Sequence, residues 1–97
     1  MFSKRIKELR IQNQIPQRQL AAALNIDTAT YCKIEKGERK AKREQVEIIA
    51  QLLNADKNEL VTLWLADKVY DVVGGETNAQ EILNVVNENI VRYGQDI

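Results

Sequence analysis

An all-α fold of six successive helices, the sixth appended at the C-terminus, follows from three observations on this 97-residue chain. Apolar residues recur at intervals of three and four along successive stretches, and no stretch suggests a β-strand. Residues suited to helix starts and stops separate those stretches. Leu, Ile, Val and Phe together supply 28 residues, more than a disordered chain holds, so the helices have a core to pack around. The length suits one compact domain with an appended helix and not two independent cores.

Phe2, Ile6 and Leu9 share one face of a first helix over about residues 3–13. Leu20, Ala21 and Leu24 form the apolar stripe of a second, in which small Ala21 lets a neighbour approach closely. Asn25 stands where that helix must stop, and Asn tolerates the left-handed conformation common just past a helix end. Ile26 plugs the turn. Asp27 is a good N-cap for a third helix over 28–36, and Gly37 closes it. Val46, Ile49, Ala50 and Leu53 define a fourth helix over about 43–53. Asp56 followed by Glu59 resembles a capping box and opens a long fifth helix carrying Leu60, Leu63, Trp64 and Val69, which ends before Gly74 and Gly75. Thr77 with Gln80 reads as another capping box. It starts a sixth helix to about Tyr93 with Ala79, Ile82, Leu83, Val86 and Ile90 along one stripe.

Projected at about 100° per residue, the third helix puts Tyr31 and Ile34 on the side that meets Leu20 and Leu24. The opposite side carries Ala29, Cys32, Lys33 and Lys36, with Thr28 and Thr30 at its edges and no large apolar group. On an isolated short helix such a face is ordinary solvated surface. Here it follows a second helix and a tight turn, the arrangement of a helix-turn-helix, and its groups suit a DNA major groove. Lysine donates to guanine O6 and N7, threonine bonds either way, and alanine or a threonine methyl touches the thymine methyl. Lys33 is the first candidate for base contact.

The net charge of zero conceals two opposite halves. Residues 1–45 hold 11 basic against 5 acidic side chains, and residues 46–97 hold 3 against 9. Arg39, Lys40, Lys42 and Arg43 follow the third helix directly and are candidates for phosphates flanking the groove, as is Lys36; Lys4, Arg5 and Lys7 are weaker ones. The acidic half should point away from DNA. A catalytic site is hard to assemble, since the chain has no histidine, no glycine-rich phosphate loop and Ser3 as its one serine. One cysteine excludes an internal disulfide and, without histidine, the usual structural zinc patterns, so no cofactor is expected. The opening MFSKRIKELR is charged at once, and no apolar run of roughly 18 residues follows, which predicts a cytoplasmic protein.

Gln17, Leu20, Ala21, Ile26, Ile34, Glu35 and Gly37 make the chain resemble the phage-repressor and Cro-like helix-turn-helix family, also called the Xre family, over residues 4 to about 66. That resemblance implies a five-helix repressor-like bundle whose third helix enters the major groove, acting as a homodimer on a near-palindromic operator. It implies that Gln17 contacts phosphate and that Thr28, Ala29, Cys32 and Lys33 face bases. Arg10 and Glu35 match a family ion pair tying the first helix to the third, where partial burial makes loss of one partner costly. Pro16 replaces the usual Ser or Thr cap of the second helix, Asn25 the common turn glycine, and Ala41 a proline usual after the third helix.

The expected organisation is a DNA-binding domain over 1–66 and a C-terminal extension over 67–97. The stripe of the sixth helix, Ile82, Leu83, Val86, Ile90 and Tyr93, packs back on its own bundle, pairs with a second copy or contacts a different protein partner. Dimerisation is preferred because two recognition helices about 34 Å apart read successive major grooves. Trp64 is expected in the core. The expected function is a sequence-specific transcriptional regulator on double-stranded DNA, a repressor or autoregulator. Its size and the KREQV to TLWLADKVYDVV segment resemble small regulators of restriction-modification genes. Alternatives are a compact phage-type repressor, an antitoxin whose acidic residues 67–97 bind a toxin partner while its N-terminal half represses the shared operon, and a protein adaptor that does not use DNA.

Overall fold

The computed structural model describes residues 1–93, and among them there are six helices and no strand. They are α1 (Phe2–Gln12), α2 (Gln17–Ala23), α3 (Thr28–Glu35), α4 (Arg43–Leu52), α5 (Lys57–Val73) and α6 (Ala79–Tyr93). The chain divides into two compact units, Met1–Asp67 and a second beginning at Lys68. The last four positions of the expected extension lie outside the described residues.

The core of the first unit is the one the apolar spacing specifies. Phe2, Ile6 and Leu9 from α1, Leu20, Ala21 and Leu24 around α2, Tyr31 and Ile34 from α3, and Val46, Ile49, Ala50 and Leu53 around α4 are all buried. Leu60 and Trp64 join them from α5, with Leu63 half-buried alongside. Ile6, Leu20, Ile49 and Leu60 have no exposed surface, so truncating any of them to alanine costs about 2–5 kcal/mol. α3 packs on both α1 and α2, which fixes its inward side and leaves the other open.

Each of α1 to α4 ends in the same way. Two residues past the last helical one the backbone turns left-handed, at Gln14 (φ 56°), Asn25 (φ 58°), Gly37 (φ 77°) and Asn54 (φ 53°). That reversal aims two successive amides back at the last turn. In α2 the pair is Asn25 N to Ala22 O and Ile26 N to Ala21 O, at 3.1 and 3.0 Å, and in α1 it is Gln14 N to Ile11 O and Ile15 N to Arg10 O, both 3.0 Å. These are Schellman closures, which satisfy carbonyls a helix end would otherwise leave without partners. They also turn the chain sharply enough for α3 to start three residues after Asn25.

Two expected caps form differently. At α5, Asp56 does accept the Asn58 amide at 2.9 Å, but Glu59 pairs with Arg5 at 2.7 Å instead of reaching back. At α6 the helix begins at Ala79, so Asn78 immediately precedes it and Thr77 with Gln80 falls one position out of register for the expected box; the Gln80 amide donates forward to Asn84 Oδ1 at 3.1 Å. α5 stops before the glycines as expected; a Cβ on Gly74 would lie 2.8 Å from the Tyr70 carbonyl oxygen. Val69, expected in the stripe of α5, is exposed.

Candidate nucleic-acid interface

The outward side of α3 is built by its caps. Asp27 Oδ1 accepts the Thr30 amide at 2.7 Å. That bond, and secondarily Lys33 and Arg39 nearby, hold the Asp27 carboxyl below its ordinary pKa, so it is charged at the positive end of the helix dipole. With Tyr31 and Ile34 turned inward, Thr28, Ala29 and Lys33 are exposed and Cys32 is half-buried. The four residues assigned to base contact therefore share one open side of one helix. Lys36 is exposed at the C-cap of the same helix.

The orientation of α3 is locked from behind by a buried ion pair. Arg10 Nε donates to Glu35 Oε2 at 2.7 Å and Arg10 Nη2 to Glu35 Oε1 at 3.0 Å, a bidentate pair in which the Glu35 side chain is 2% exposed and Arg10 15%. Arg10 Nη1 also donates to the Ile15 carbonyl at 3.0 Å, joining the end of α1 to the same network. Gln17 Nε2 donates to Glu35 Oε1 at 3.3 Å. Burial acts to raise the Glu35 pKa, but the donors around it, Arg10 first and then Tyr31 and Gln17, outweigh burial and hold the carboxylate below its ordinary range. The Tyr31 hydroxyl is buried beside Glu35 without meeting a partner in good hydrogen-bond geometry, and burial raises its pKa. Gln17, assigned to phosphate, is thus anchored through Glu35 at the first residue of α2.

The basic cluster lies on the connection from α3 to α4. Arg39, Lys40, Lys42 and Arg43 are exposed, while Ala41 between them is buried. Lys42 is the N-cap of α4, its amide donating to Gln45 Oε1 at 2.8 Å, and Arg43 is the first residue of that helix. Arg5, a weaker phosphate candidate, is committed elsewhere: it pairs with Glu59 at 2.7 Å and Glu8 at 3.5 Å. Sequence reasoning missed the bond from Trp64 Nε1 to the Ala41 carbonyl, 2.7 Å, which ties α5 to the basic connection. The signal was present, because a core tryptophan must place its N–H against an acceptor. It also missed the Phe2 amide donating to Asp67 Oδ2 at 3.0 Å.

In the second unit the stripe of α6 is graded. Ile82 and Leu83 are half-buried, whereas Val86, Ile90 and Tyr93 are exposed, as are Tyr70 and Val72 on α5. No helix among the described residues is long and apolar enough to cross a membrane.

A helix pair closed by a tight turn, its second member held by a buried ion pair and followed by exposed cations, defines the class. Residues 6–60, more than half of the chain, match the helix-turn-helix family HTH_3, and the chain belongs to that family, in its phage-repressor and Cro-like form. It is 34% identical over 62 residues to the cryptic phage CTXphi transcriptional repressor RstR of Vibrio cholerae, a match covering 64% of this chain and 56% of that repressor. The chain thus aligns with little more than half the length of that relative. No solved structure matches it significantly.

Proposed function

We propose that this protein is a sequence-specific DNA-binding transcriptional repressor. The observation that carries the reading is the open side of α3, with Thr28, Ala29, Cys32 and Lys33 toward bases and no large apolar group among them. Gln17, Lys36, Arg39, Lys40, Lys42 and Arg43 supply the phosphate contacts that seat that helix in the groove. The repressor named among its relatives supports the sign of regulation. Binding over a promoter then excludes polymerase.

The operating form in this reading is a homodimer on a near-palindromic operator in the cytoplasm. Residues 1–66 bind DNA, and the extension over 67–97 pairs two copies through Ile82, Leu83, Val86, Ile90 and Tyr93. Exposure of the last three supports that assignment. Of the two narrower settings, the phage relative favours a phage-type repressor over control of restriction-modification genes.

The test is sedimentation of the protein alone and with duplexes carrying one half-site or an inverted pair. Two chains per inverted pair, and a dimer without DNA, are expected. A protein monomeric in both conditions contradicts the dimer. Copurification of a small basic partner would replace the reading with an antitoxin-type repressor of the operon that encodes both.

A further inference from the structure

Trp64 is the single tryptophan of the chain, and its position links the core to the cations that meet DNA. The connection from α3 to α4 is not helical, so its backbone groups must find partners outside a helix ladder. At its start the Glu38 and Arg39 amides both donate to the Lys33 carbonyl, at 2.9 and 3.3 Å, and at its end the Lys42 amide donates to Gln45. Its middle is held by the indole N–H of Trp64 on the Ala41 carbonyl at 2.7 Å, a buried bond between residues 9% and 7% exposed. Arg39 and Lys40 precede that anchored carbonyl, and Lys42 and Arg43 follow it. A loop that must become ordered on binding loses affinity to that ordering, whereas a loop already fixed does not.

We infer that Trp64 is a positioning residue for phosphate binding: its N–H pins the Ala41 carbonyl, so that Arg39, Lys40, Lys42 and Arg43 meet the duplex in a preset arrangement. The inference rests on the DNA-binding reading above. It differs from simple core packing, because packing depends on the shape of the indole and positioning depends on its one polar atom.

The test exchanges that atom alone. Replacing the tryptophan with β-(3-benzothienyl)alanine keeps the ring shape and substitutes sulfur for the N–H, which removes the donor. Binding of the full chain to a mixed-sequence duplex is then measured across salt concentrations. The expected result is unchanged helical content, affinity about tenfold weaker at ~0.1 M salt, and a plot of log affinity against log salt shallower by about 1 to 2, since each lost phosphate contact removes ~0.9. Trp64→Phe moves in the same direction. Leu60→Ala, in the same helix and core, is the control, and should lower the unfolding midpoint without changing the salt slope of the folded protein. An analogue that keeps the native affinity and slope overturns the inference, as does a control that flattens the slope equally. Absence of salt-dependent binding by the native protein fails at an earlier step and removes the DNA-binding reading itself.

Discussion

Replacing Arg10 with methionine removes the charge and all three hydrogen bonds of a side chain that is 15% exposed, while keeping most of its apolar length. Glu35, 2% exposed at its side chain, is left with Gln17 at 3.3 Å as its remaining good donor. Breaking a buried pair from one side costs about 3–5 kcal/mol, because the surviving charge stays buried without compensation. A domain of this size is stable by only about 5–15 kcal/mol, so Arg10→Met should forfeit a large share of the total. At roughly 4–8 °C per kcal/mol, the midpoint of thermal unfolding should fall by at least about 12 °C. The double variant Arg10→Met with Glu35→Leu removes both charges and should recover most of the loss. The pH dependence gives a second reading. In the native protein the Glu35 pKa lies below its ordinary value of 4.5, so its contribution is present above that value and disappears as pH falls through the lowered one. Without Arg10 burial dominates and raises that pKa, so the deficit of Arg10→Met should shrink on acidification from neutral pH. Denaturant titrations of the three proteins between pH 4 and 7 measure all of this. A loss under about 1 kcal/mol for Arg10→Met, or a double variant less stable than the single, would show that Glu35 is not a buried charge held by Arg10.

Three further outcomes are expected. Lys33→Ala should cost about 1–3 kcal/mol of discrimination between operator and random duplex with little change in nonspecific affinity, whereas Arg39→Ala should weaken binding to both and flatten the salt dependence; competition assays read the difference. Gln14→Gly should raise the unfolding midpoint, because a side chain at φ 56° costs roughly 1–2 kcal/mol that glycine avoids in part, while Ala in place of Asn25 should lower it. Ile90→Glu, which alters an exposed residue of α6, should leave the first unit folded but yield monomers by sedimentation and lose the advantage of an inverted repeat over a single half-site.

The core and helix order were legible because they rest on spacing. Phe2, Ile6 and Leu9, or Val46, Ile49 and Ala50, can face the interior together in one way only at 3.6 residues per turn. The Asp27 cap and the Asn25 and Gly37 stops were legible because few residue types serve those places. Gln14 was not, since nothing in its chemistry favours a left-handed backbone; the Schellman closure of α1 imposes it. The partners of Arg5 and Trp64 lie 54 and 23 residues away, and pairings at such separations depend on how helices meet. Within the proposed interface, the open side of α3 followed from its sequence, whereas the anchoring of Gln17 through Glu35 and of the basic connection through Trp64 required the packed structure.

In the proposed mode of binding, α3 reads DNA sequence while the basic connection grips the backbone. Selection of bound duplexes from a randomised pool at moderate salt, with sequencing of what the protein retains, distinguishes the two roles. An enriched inverted repeat with half-sites about one helical turn apart is the predicted result. Folded protein that retains duplexes without any sequence enrichment would contradict it.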